Sequence, residues 1–121
     1  MRESGEMYLE NILVLSRQSE YVRAIDVVEL MGFSKASVSR ALSKLKQNGF
    51  ITISGTGHIS LNPSGREIAE KILERHELLS KMLIRLGVDE ATAREDACKI
   101  EHDISDASFA AIKAHFAQHE A

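Results

Sequence analysis

Apolar residues recur at helical spacing along most of the chain and alternate in only one place. From Glu6 to about Gln18, Tyr8, Leu9, Ile12, Leu13 and Leu15 fall on one broad side, which predicts an amphipathic helix. Met7, Glu10 and Val14 fall on a neighbouring stripe. Taken singly, Met7 reads as core filler and Glu10 as a surface acid. Ser19 to Val22 reads as a polar connection. Arg23 to about Met31 predicts a short helix carrying Ile25, Val27, Val28 and Leu30, ended by Gly32. Ser34 is placed to cap a third helix reaching about Asn48. Val38, Ala41, Leu42 and Leu45 form its inward stripe; Lys35, Ser37, Ser39, Arg40, Ser43, Lys44 and Lys46 lie mostly outward.

Phe50-Ile51-Thr52-Ile53-Ser54 alternates as a strand does. Gly55-Thr56-Gly57 supplies a turn, and His58-Ile59-Ser60-Leu61 returns. Pro63 suits the first position of a helix, and Ser64 with Glu67 forms a capping box. That helix runs from about Ser64 to Leu86, with Ile68, Ile72, Leu79, Leu83 and Leu86 at helical spacing before Gly87. Asp89 is set to cap a fifth helix that carries Cys98, Glu101 and His102. Ser105 is set to cap a last one through about Ala117, with Ile112 and Phe116 inward. His115 and His119 stand four apart and read as an exposed tail.

Two helices joined by a tight glycine turn form a helix-turn-helix pattern, and a hairpin directly after the second helix is a wing. The N-terminal end of such a second helix meets base edges, and here it carries small hydroxyls and cations. Ser34, Lys35, Ala36, Ser37, Ser39, Arg40 and Lys44 are the candidate DNA-contacting residues. The short Ser and Ala side chains allow close approach, and Arg40 has the reach for a guanine edge or a phosphate. Charge supports this. No Asp or Glu occurs from Leu30 to Arg66, where Lys35, Arg40, Lys44, Lys46 and Arg66 stand unopposed in a chain of net charge −3. The plainer reading is a helical hairpin with a solvated basic face. His58, near the wing tip, reads as exposed.

At 121 residues the chain fits one compact domain or two small lobes sharing a core, and 44% hydrophobic residues suffice for that core. The apolar runs are too short to span a bilayer, so no membrane partner is expected. Met1 to Glu6 shows no secretory signal. The single cysteine excludes an internal disulfide and fits a reducing cytoplasm.

That cysteine has chemistry of its own. On a helix, Cys98, Glu101 and His102 stand at i, i+3 and i+4 and share a face. A thiolate, a carboxylate and an imidazole on one face can share a divalent cation. The plainer reading is a small buried cysteine beside a wet Glu-His edge. Further ligands would have to come from elsewhere, and His76, mid-helix beside Arg75 and Glu77, reads by itself as a surface residue.

Five stretches together resemble the diphtheria toxin repressor family of metal-dependent transcription regulators, including its manganese-transport-regulator branch. They are Met7-Tyr8-Leu9-Glu10-Asn11-Ile12, Ser34-Lys35-Ala36-Ser37-Val38-Ser39, Leu61-Asn62-Pro63-Ser64-Gly65-Arg66, Arg75-His76-Glu77-Leu78-Leu79 and Ala97-Cys98-Lys99-Ile100-Glu101-His102. The resemblance covers nearly the whole chain. It implies a mainly α fold: a winged helix-turn-helix DNA-binding domain over residues 1–63 and a helical metal-binding and dimerisation domain over 64–121. It implies a homodimer on a pseudo-palindromic double-stranded operator and no enzymatic turnover. The metal ligands it implies are Met7, Glu10, His76, Cys98, Glu101 and His102.

Met7 with Cys98 follows the iron-responsive branch, whereas the manganese branch prefers carboxylates there. Sulfur ligands suit Fe²⁺ better than the hard Mn²⁺ ion, with Mn²⁺ next; Co²⁺, Ni²⁺ or Zn²⁺ can occupy such a site in vitro. The iron branch's ancillary site departs, because Ser80 and Arg94 stand where that branch has Glu and His. The chain also ends before that branch's SH3-like domain. The competing reading is a metal-independent winged-helix regulator controlled by a partner or small ligand, which a chelator titration separates from the first.

Overall fold

The computed structural model describes residues 3–119. The elements in order are α1 (Glu3–Gln18), α2 (Ala24–Met31), α3 (Lys35–Gln47), β1 (Ile51–Ile53), β2 (Ile59–Leu61), α4 (Pro63–Arg85), α5 (Glu90–Ile100) and α6 (Asp106–His119). The chain divides into two compact units, Met1–Lys71 and Ile72–Ala121. The fold is mainly helical, with a winged helix-turn-helix in the first unit.

In that first unit α1 begins one turn earlier than the apolar pattern indicates, at Glu3. Tyr8, Leu9, Ile12 and Leu13 are buried on it, while Leu15 is only half-buried. Glu10, expected at the surface, is buried at 7% exposure. Gly32 closes α2 in the left-handed region at φ 72, and its N–H bonds Val28 O at 2.9 Å. Of the apolar residues that α2 carries, Val27 is fully buried, while Ile25 and Leu30 are exposed. Ser34 caps α3 as its side chain accepts from Ser37 N, and Val38, Leu42 and Leu45 make the buried stripe.

The wing is a two-stranded antiparallel sheet pairing Ile51 with Leu61, Thr52 with Ser60 and Ile53 with Ile59. Val22, expected in a polar connection, is core at 1% exposure, and its carbonyl accepts from Ile59 N at 2.8 Å. The connection therefore anchors the wing. His58 is half-buried rather than exposed, because its ring packs edge-on against Tyr21 with centroids 5.1 Å apart.

Pro63 takes the first position of α4, and Asn62, not Ser64, precedes the helix; Arg66 N bonds Asn62 O. The Ser64–Glu67 capping box is thus corrected. Ser64 Oγ instead donates to Gly49 O at 3.1 Å, and Asn62 Nδ2 donates to the same carbonyl at 2.9 Å. Both residues tie the start of α4 to the chain entering the wing.

The second unit packs Leu79, Ala97 and Phe109 as a core, flanked by Leu78, Met82, Ile104 and Ile112. Leu86, the last of the apolar positions at helical spacing, is 74% exposed, since α4 has ended at Arg85. Asp89 caps α5 by accepting from Thr92 N. Ser105 Oγ accepts from Ser108 N at 3.1 Å at the start of α6. The pairing of His115 with His119 involves a side chain outside those described.

Candidate metal centre and nucleic-acid interface

The α5 helix stops at Ile100, so Glu101 and His102 lie in the turn that follows and not on the helix face expected for them. Glu101 N still bonds Ala97 O, while Asp103 N and Ile104 N both turn back to Ile100 O. In this turn Glu101 is buried at 0% exposure. The Glu101 and His102 side chains are both fully buried.

The carboxylate faces two imidazoles. Glu101 Oε2 lies 2.7 Å from His76 Nδ1, on the half-buried middle of α4. Glu101 Oε1 lies 3.3 Å from His102 Nε2 and makes no hydrogen bond among the described residues. Cys98, one turn earlier on α5, is half-buried. His76, expected at the surface when taken singly, therefore meets a carboxylate that lies 25 residues further along the chain.

Met7 and Glu10 lie on α1 of the first unit, the former half-buried and the latter buried. Of the residues in the ancillary positions, Ser80 is buried at 2% exposure with no partner for Oγ among the described residues. Arg94 points to its own helix, Nε donating to Glu90 Oε1 at 3.1 Å.

Arg75 was not singled out by its sequence. It is buried at 4% exposure next to His76, and its guanidinium bonds the backbone of the turn that carries Glu101 and His102. Only its place in an apolar-flanked stretch of α4 hints at burial, because its acceptors lie 26 or more residues away.

On the other unit, Ser34, Lys35, Ala36, Ser39, Arg40 and Lys44 are exposed and Ser37 is half-buried. Ser34 Oγ donates to Ser37 Oγ at 3.0 Å, and Arg40 Nη2 donates to that same Ser37 Oγ at 3.4 Å. Ser39, Arg40, Ser43, Lys44 and Gln47 line a shallow, open concavity on the outer face of α3. Its two cations face no carboxylate in any ion pair among the described residues.

A profile described as the N-terminal DNA binding domain of the iron dependent repressor matches residues 1–59. A second, described as its metal binding and dimerisation domain, matches residues 62–120. The chain belongs to the iron-dependent repressor family. Its relatives agree. An uncharacterised HTH-type transcriptional regulator of Methanocaldococcus jannaschii is 34% identical over 108 residues, 88% of this chain and 86% of its own length. The HTH-type transcriptional regulator MntR of Lysinibacillus sphaericus is 31% identical over 84% of this chain and 73% of its own length. A manganese-dependent transcriptional repressor, solved in complex with manganese, superposes with a TM-score of 0.85 at 28% identity over 93% of this chain. The chain spans 52% of the length of that repressor.

The residues of this iron-dependent repressor homologue fit a divalent cation on chemical grounds. A fully buried carboxylate oxygen without a hydrogen bond is costly unless something positive or a donor reaches it. Two imidazoles and a carboxylate, with a thiol one turn away, form the nitrogen–oxygen–sulfur set that iron, manganese and their neighbours accept. No helix of the described residues is long and apolar enough to cross a membrane.

Proposed function

We propose that this chain is a metal-dependent DNA-binding transcriptional regulator, a repressor of metal-uptake genes, that binds a pseudo-palindromic double-stranded operator as a homodimer. In this reading residues 1–63 contact DNA and residues 64–121 hold the metal and dimerise. The carrying observation is the buried Glu101 carboxylate set between His76 and His102, in a family whose profiles name both metal binding and DNA binding.

The ligands are Met7, Glu10, His76, Cys98, Glu101 and His102, and the metal is Fe²⁺ or Mn²⁺. When bound, the ion supplies the positive charge that the buried Glu101 lacks. Glu101 and His102 then keep their geometry through the turn after α5, and His76 through α4. Met7 and Glu10 bring α1 of the DNA-binding half under the same control. On α3, Ser34, Lys35, Ala36, Ser37, Ser39 and Arg40 face the major groove and Lys44 the backbone, with two wings on a two-fold axis setting the half-site spacing. Metal shifts a pre-existing equilibrium towards the DNA-competent shape, so DNA tightens metal by the same factor. The protein acts in the cytoplasm and performs no turnover chemistry.

The test is fluorescence anisotropy with a duplex selected from a random pool by the Mn²⁺-loaded protein, titrated with and without Mn²⁺ or anaerobic Fe²⁺. Wild type binds tightly only with metal. Glu101→Gln, which keeps the shape and removes the charge, loses the metal response and keeps its circular dichroism spectrum. Equal wild-type affinity with metal and with chelator refutes metal gating.

A further inference from the structure

The turn that carries Glu101 and His102 is held by one buried cation. Arg75 Nη1 donates to Glu101 O at 3.1 Å and to Ile104 O at 2.6 Å, while Nη2 donates to Asp106 Oδ1 at 2.5 Å. Its guanidinium lies 5.4 Å from the centre of the Phe109 ring. The first acceptor is the carbonyl of the buried carboxylate residue, the second closes the turn, and the third is the first residue of α6. Glu101 caps α5 at its C-terminal end, so its carbonyl is one that the helix leaves without a helical partner, and a cation there is the natural group to take it.

Burying a guanidinium at 4% exposure is expensive unless several acceptors surround it. A solvated lysine or water would cap the same carbonyls on a surface turn at far smaller expense. What the buried arginine adds is registry. Arg75 and His76 are adjacent on α4, so one stretch of helix supplies an imidazole and also grips the backbone that carries the carboxylate facing it. The planar fork fixes direction as well as distance, which a single ammonium does not.

We propose that Arg75 is a positioning residue for the metal centre: it sets the Glu101 carboxylate against His76 by holding both ends of the 101–105 turn, and through Asp106 it ties that setting to the start of α6. This rests on the metal-binding reading above. Residues that orient metal ligands from behind typically change metal affinity by about 10–100-fold when replaced.

The experiment compares wild type, Arg75→Lys, Asp106→Asn, the double variant and Ile112→Ala. Ile112 flanks the same core and takes no part in the Arg75 hydrogen bonds, so its variant controls for lost stability. Affinity for Mn²⁺ alone is read by electron paramagnetic resonance. Amide hydrogen exchange at residues 101–105 is read without metal. Arg75→Lys is expected to weaken Mn²⁺ binding by about 10–100-fold and to speed exchange in the turn. Asp106→Asn is expected to do so by less, and the double variant by no more than Arg75→Lys alone. Ile112→Ala is expected to lower the melting temperature with Mn²⁺ affinity unchanged.

Wild type that takes up no Mn²⁺ overturns the metal reading and this role with it, even if the turn exchanges faster in Arg75→Lys. Wild type that binds while Arg75→Lys binds equally well overturns the positioning role alone. An Ile112→Ala loss of affinity matching that of Arg75→Lys overturns it too, since stability alone would then explain both.

Discussion

Replacing Gly65 by alanine tests how the wing is attached to α4. A Cβ on Gly65 would stand 2.2 Å from Phe50 O, 3.0 Å from Phe50 C and 3.4 Å from Leu9 Cδ2. The nearest atom is backbone, not the end of a flexible side chain, so the two segments must part by about 1 Å. Phe50 O also accepts from Asn62 N at 3.0 Å, and Phe50 N donates to Leu45 O, so the displaced peptide is bonded on both sides. Overpacking of this kind costs about 1–3 kcal/mol, and weakening the Asn62 bond adds about 1 kcal/mol. Alanine's helix preference returns at most about 1 kcal/mol. The net expectation is a loss of about 1–3 kcal/mol from the first unit. The chain offers its own reporter, because its two tyrosines, Tyr8 and Tyr21, both lie in that unit and it has no tryptophan. Tyrosine fluorescence in urea should show a lower midpoint at unchanged slope. Operator affinity should fall as the entrance to β1 shifts. A variant as stable as wild type, or more so, would mean that helix propensity outweighs the clash and that α4 and the wing entrance are not pressed together as described.

Two further expectations concern single side chains. Arg40→Ala should weaken operator binding by about 1–3 kcal/mol if its guanidinium makes a bidentate guanine contact, and an unchanged binding isotherm removes Arg40 from the contact surface. The Asp89 carboxyl is held below its ordinary value chiefly by the Thr92 backbone N–H and then by the Thr92 side chain. A lowered folded-state pKa means that the cap stabilises above the unfolded value of 3.8 and that this contribution is lost as pH falls through the folded one. The melting temperatures of wild type and Asp89→Ala should therefore differ by a constant amount from neutral pH to about pH 5 and converge below the unfolded value; a gap that persists at pH 2 contradicts the assignment.

Local chemistry was readable from the chain and long-range packing was not. Ser34 and Asp89 could be named as caps because each cap joins residues three apart, and the same is true of Ser105. Ser64 carried an equally good local signal and failed. Asn62 and Ser64 both point to Gly49 O, a carbonyl 13 and 15 residues back that no window along α4 contains. Val22 looked like linker for the same reason: it has polar neighbours, but Ile59 from the returning strand closes over it. Ile25, Leu30 and Leu86 stand at apolar positions and are exposed, since apolar spacing finds a helix face but not which end of it the neighbours cover.

The metal centre shows the limit most sharply. The spacing of Cys98, Glu101 and His102 suggested one helical face, yet the helix ends before Glu101. Past Ile100 the chain is closed by bonds from Asp103 and Ile104 back to Ile100, and in that turn His102 Nε2 stands 3.3 Å from the Glu101 carboxylate. The turn is in its place because Arg75 holds its carbonyls, and Arg75 lies beside His76. A helical repeat could group the candidate residues, but their convergence depends on a break in the helix and on one arginine far along the chain, and neither leaves a periodic trace.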